Sequence, residues 1–86
     1  MRERILFVDD DSNVLDGYRR SLNPEFLLET ALGSDKALVL LQNNGPYAVI
    51  VSDMRMPGMN GIELLTAVKS ASPDTIRVIL DRKSVV

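Results

Sequence analysis

Short apolar runs alternate along this chain with stretches whose apolar residues recur at helical spacing, and that alternation leaves few folds open. Ile5-Leu6-Phe7-Val8 is a continuous apolar run, the pattern of a strand buried on both faces. Asp11 or Ser12 then offers an N-cap, Val14, Leu15, Tyr18 and Leu22 follow at helical spacing, and Asn23-Pro24 stops the helix. Phe26 to Ala31 reads as a second strand, with Glu29 and Thr30 marking a partly exposed edge. Gly33-Ser34 opens a helix carrying Ala37, Leu38 and Leu41 that ends at Asn43-Asn44-Gly45. Tyr47 to Ser52 is a third, almost wholly apolar strand. After the loop Met54 to Met59, Asn60 and Glu63 form a capping box, and Ile62, Leu65 and Val68 make the buried stripe of a third helix. Ser72-Pro73-Asp74 breaks that helix, and Ile76 to Leu80 is a fourth strand. The order βαβαβαβ specifies an α/β fold with a parallel sheet, right-handed crossovers, helices on both faces, and a site at the strands' carboxyl ends.

Composition removes several kinds of chemistry. The chain has 86 residues, a net charge of −2 and no Cys or His. Disulfides, thiolate or imidazole metal ligands, histidine general bases and a phosphohistidine on this chain are excluded. No basic stripe exists, so nucleic-acid binding by this chain itself is not expected. The longest purely apolar run, Ala37 to Leu41, is too short to span a membrane, and the charged N-terminus lacks the apolar stretch of a signal peptide. A cytoplasmic protein is the expectation.

The first strand ends in Asp9-Asp10-Asp11 and the third in Ser52-Asp53. If the two strands are neighbours, Asp9, Asp10 and Asp53 converge at one end of the sheet. A lone acid after a strand is usually a solvated loop residue or a helix cap. Three acids at the ends of two apolar strands are different, because clustered carboxylates repel unless a cation or a raised pKa compensates. A hard divalent cation such as Mg2+, which takes one or two carboxylates and keeps waters for a phosphoryl partner, would compensate them. Other readings of the same residues fit less well. A phosphate-binding glycine loop would have Gly where Asp9 to Asp11 stand. Asp9-x-Asp11-x-Asn13 matches part of an EF-hand loop, but Val14 and Arg20 occupy its Gly and bidentate Glu positions. Gly58-x-x-Gly61 imitates an RNA-clamping loop in an acidic setting that argues against one.

Ile5 to Asp11 together with Val49-Ile50-Val51-Ser52-Asp53-Met54-Arg55-Met56-Pro57-Gly58-Met59-Asn60-Gly61 resembles the receiver domain of bacterial two-component response regulators. The resemblance covers residues 4–80 and implies a flavodoxin-like sheet with strand order 2-1-3-4. By motif, Asp53 is similar to the phosphoacceptor, Asp10 to a direct Mg2+ ligand, and Asp9 to the second acid, acting through water or a hydrogen bond. The backbone carbonyl of Arg55 is similar to the family's main-chain metal ligand. Pro57 either fixes the bend that points this carbonyl inward or only terminates the strand region. Such a module is a phosphoacceptor rather than an enzyme, and its donor, a histidine kinase or phosphotransfer protein, comes from outside.

The family pattern then breaks off. Asp81 stands where the family has Ser or Thr, and Lys83 comes too soon after the fourth strand to match the family's Lys. The chain therefore reads as a partial receiver domain over 1–80, truncated after the fourth strand, with impaired phosphotransfer. The tail 81–86 does not match the family. It resembles one translated frame of a common sequencing-library adapter, so a non-native origin is expected. An uncovered fourth strand implies self-association, and one sheet face is expected to be covered by the first helix alone. Two competing functions remain: a haloacid-dehalogenase-like phosphatase with Asp9 as nucleophile, and an interaction module that keeps only the fold.

Overall fold

The computed structural model describes residues 3–21 and 27–81. Its strands are β1 (Arg4–Asp9), β2 (Leu27–Leu32), β3 (Val49–Asp53) and β4 (Ile76–Leu80). Its helices are α1 (Ser12–Ser21), α2 (Ser34–Asn44) and α3 (Gly61–Ala71). The strands form one parallel sheet in the order β2-β1-β3-β4, as the resemblance to receiver domains implies. Leu22, Asn23-Pro24, Phe26 and the tail from 82 to 86, which carry parts of the sequence reading, lie outside the described residues.

Strand alternation assigns the two faces. Leu6 and Val8 of β1, Ala31 of β2 and Ile50 of β3 point to one side, where they pack with Ala37 and Leu41 of α2 and Leu64, Leu65 and Val68 of α3. Phe7 points to the other side and meets Tyr18 of α1, their ring centroids 4.3 Å apart. Helices therefore lie on both faces, but unevenly. Among the described residues α1 alone covers the second face, where Ile5, Phe7, Val49, Val51 and Val78 are half-buried and Ile76 is 62% exposed.

Two local readings need correction. Tyr47 is not part of β3, which begins at Val49. Its ring turns into the core, and its hydroxyl donates to Glu29 Oε1 at 2.7 Å. The buried stripe of α3 is Gly61, Leu64, Leu65 and Val68, whereas Ile62 is exposed. Gly61 fixes this rotation, because a Cβ there would lie 2.3 Å from the Asp53 carbonyl oxygen. With position 61 facing the sheet, positions 64, 65 and 68 follow it inward and 62 turns out.

At the amino ends of the strands, Arg4 Nε and NH2 donate to Glu29 Oε2 at 3.3 and 3.1 Å, and the guanidinium lies 4.7 Å from the centre of the Tyr47 ring. Burial alone would raise the Glu29 carboxyl, but the bonds from Tyr47 and Arg4 outweigh it and hold the group below its usual value. Burial and the neighbouring carboxylate push the Tyr47 phenol up to about 12.

Candidate functional site

Because β1 and β3 are adjacent and in register, with Val8 opposite Ser52, Asp9 and Asp53 end on the same rim. Carboxylate oxygens of Asp9, Asp10 and Asp53 lie within 4.8 Å of one another. Asp9 and Asp53 are 1% and 2% exposed, and Asp10 is open to solvent. The rim thus joins two sheltered oxygen donors to one accessible donor. This all-oxygen set suits a hard divalent cation. The third acid of the run does separate work. Asp11 caps α1, its Oδ1 accepting from the Asn13 amide at 2.9 Å, while the Asp11 amide donates to Asp9 Oδ1 at 3.0 Å. The Gly33 amide donates to the Asp9 carbonyl at 2.9 Å, which ties the β2–α2 junction to the same rim.

The loop from Met54 to Asn60 forms the site's outer wall. It is closed at its base, where the Met54 amide donates to the Leu80 carbonyl and the Met54 carbonyl accepts from the Gly61 amide, both at 2.9 Å. Met56 is buried in the core. Gly58 turns the chain with φ of +73°, a conformation that suits glycine. Asn60 and Glu63 form the expected capping box, with bonds of 2.9 and 3.0 Å that start α3. Asp10, Met54, Arg55, Met56, Pro57, Asn60 and Ile62 line a cleft of about 540 Å³ beside the acids. Arg55, whose carbonyl the sequence singled out, therefore stands on the cleft wall with Asp10.

Asp81 follows the Leu80–Asp53 pair at the end of β4, so it too belongs to this rim. It buries Oδ1 without a hydrogen bond to the described residues. Sequence reasoning missed two residues that shape the site. Gly61 leaves room for the Asp53 backbone; the sequence marks it in Gly58-x-x-Gly61 and in the receiver-like stretch, but in neither as a close contact with β3. Ser34 read as a helix start, yet its hydroxyl donates to the Met59 carbonyl at 2.8 Å.

The family model of the response regulator receiver domain matches residues 5–84. Response regulator MprA of Mycobacterium sp. (strain KMS) is 40% identical over 99% of this chain, which corresponds to 37% of MprA. The hydrogenase transcriptional regulatory protein HoxA of Cupriavidus necator is 38% identical over 88% of the chain, or 16% of HoxA. The chain thus spans well under half the length of these relatives. Among solved structures, an adenylate cyclase from Rhodopirellula baltica superposes with a TM-score of 0.89 at 37% identity, covering 94% of this chain and 60% of that one. Response regulator TrrA from Thermotoga maritima, crystallised with Mg2+ and BeF, gives 0.81 at 29% identity, covering 92% and 68%. Motif, topology and sequence relatives agree: this chain belongs to the response regulator receiver domain family, the phosphoaccepting modules of two-component signalling.

Proposed function

We propose that Asp53 is the phosphoacceptor, that Asp9, Asp10 and the Arg55 carbonyl hold Mg2+ with it, and that the donor is a histidine kinase or phosphotransfer protein. The observation that carries this reading is the convergence of Asp9, Asp10 and Asp53 to within 4.8 Å at the carboxyl rim. TrrA, solved with Mg2+ and BeF, supports the choice of cation. An Asp53 oxygen forms the new P–O bond as the donor's P–N bond breaks, and the donor imidazole takes up a proton as it leaves. Bound Mg2+ would offset the charge brought by the phosphoryl group. Asp10 and the open cleft give access from solvent, while Asp9 and the loop keep the nucleophile in place.

Residues 1–80 form the receiver unit in this proposal, and the family match runs on to residue 84. The setting is the cytoplasm, where a kinase would present its phosphohistidine; among the described residues no helix is long and apolar enough to cross a membrane. The phosphatase reading, with Asp9 as nucleophile, is not favoured by the receiver match. The two readings part at a single residue. Incubation with a phosphorylated histidine donor and Mg2+ is expected to add one phosphoryl group to the wild type, slowly, and none to Asp53→Asn. Label that persists in Asp53→Asn but disappears in Asp9→Asn would overturn the assignment.

A further inference from the structure

Ser34 is the first residue of α2, one position past the N-cap, Gly33, and no side chain caps the helix. The Ser34 hydroxyl donates to the Met59 carbonyl, 25 residues away, at 2.8 Å. Ser34 is only 5% exposed, so water is a poor substitute for either partner. Met59 belongs to the loop that carries Arg55 and forms the cleft wall. The pair of bonds through Met54 closes that loop at its base, and Met56 anchors its middle in the core. The Ser34 bond fixes its far side, just before Asn60 starts α3. The preceding residue, Gly33, donates to the Asp9 carbonyl. The β2–α2 junction therefore grips the strand that supplies Asp9 and Asp10 and, one residue later, the loop that supplies Arg55.

We propose that Ser34 is a positioning residue of the acidic site: its hydroxyl sets the distance between the Arg55 loop and the Asp9–Asp10 strand end, and so tunes divalent-cation affinity. The inference rests on the proposed Mg2+ site and adds a residue outside the motif. Partners that orient metal ligands from behind commonly change affinity by about 10–100-fold when removed. A single neutral bond belongs at the lower end, roughly tenfold.

The test uses the full chain, 15N-labelled, as wild type, Ser34→Ala, Ser34→Thr and Thr75→Ala. Thr75 supplies a comparison of like chemistry: its buried hydroxyl donates to the Tyr47 carbonyl at 2.7 Å, on the opposite rim. Without metal, Ser34→Ala is expected to speed exchange of the Gly61 amide by about three- to tenfold, because that bond to Met54 opens when the loop lifts. With Mg2+, it is expected to bind roughly tenfold more weakly. Ser34→Thr restores both quantities, and Thr75→Ala changes neither while lowering the thermal midpoint. Wild-type Gly61 exchange and Mg2+ affinity in Ser34→Ala would overturn the proposal, as would equal losses in Thr75→Ala. If the wild type itself binds no Mg2+, the site reading fails, and the metal-free exchange still decides whether Ser34 holds the loop.

Discussion

Asp9 and Asp53 are nearly sealed from solvent while Asp10 is open to it, so the three acids respond differently to loss of a carboxylate. Asp10→Ala is expected to raise the metal-free thermal midpoint, because it relieves repulsion at the rim, and to abolish the rise that Mg2+ gives the wild type by mass action. At about 4–8 °C per kcal/mol for a domain this size, calorimetry with and without Mg2+ resolves both effects. A midpoint that still climbs with Mg2+ in this variant would remove Asp10 from the ligand set. Asp81 adds a further carboxylate to the rim. Asp81→Thr is expected to increase acetyl-phosphate labelling of Asp53 by roughly tenfold, about 1.4 kcal/mol of barrier, with intact mass as the readout. At the other end of the strands, the pH response comes from Glu29 and Tyr47. Glu29 is held below its usual value, so its stabilisation is present above about pH 4.5 and lost as pH falls further. Tyr47 is raised, so its share is complete below pH 10 and lost as pH climbs through about 12. Tyr47→Phe should lower stability by about 1 kcal/mol at neutral pH and blunt the loss in acid, measured by denaturant titration.

Apolar runs and turn residues made every strand and helix legible, because each run is short and each break contains Gly, Pro, Asn or Asp. Rotation about a helix axis was not. In α3 the residues Ile62, Leu64, Leu65 and Val68 are all apolar and allow two stripes, and the choice between them depends on a contact with β3 that no pattern within the helix encodes. Tyr47 failed for a similar reason: an aromatic residue beside a strand reads as strand, whereas Glu29, distant in sequence, draws it into a polar cluster. The acids were legible as a group because they end apolar strands, and Asp11 was legible as one of two N-cap candidates, but the bond from its amide back to Asp9 depends on the turn after β1 and was not. Two variants separate helix initiation from close packing in α3. Asn60→Ala removes half of the capping box and should cost about 1 kcal/mol. Gly61→Ala should cost more, because its Cβ would meet a backbone oxygen at 2.3 Å and not a side chain that can move aside. Equal midpoints for the two variants would contradict the packing argument.

The sheet as a whole has one well-covered face and one covered only by α1 among the described residues, and β4 is an edge with Ile76 62% exposed. Exposed apolar side chains and open backbone groups along an edge favour pairing between chains. Sedimentation at micromolar concentration is therefore expected to show association that rises with concentration, and Ile76→Lys should reduce it. A concentration-independent monomer with strongly protected β4 amides would contradict this. Parallel strands have a second consequence at this scale. They sort the molecule into an acid rim, where the carboxylates meet, and a basal rim, where Arg4, Glu29 and Tyr47 lock three segments together. From Arg4 to Asp9 the intervening strand spans roughly 16 Å, beyond the range over which substitutions usually interfere with one another. Changes at the base can therefore strengthen or weaken the scaffold while changes at the acid rim retune its chemistry, and the two kinds of variation can accumulate separately in one small sheet.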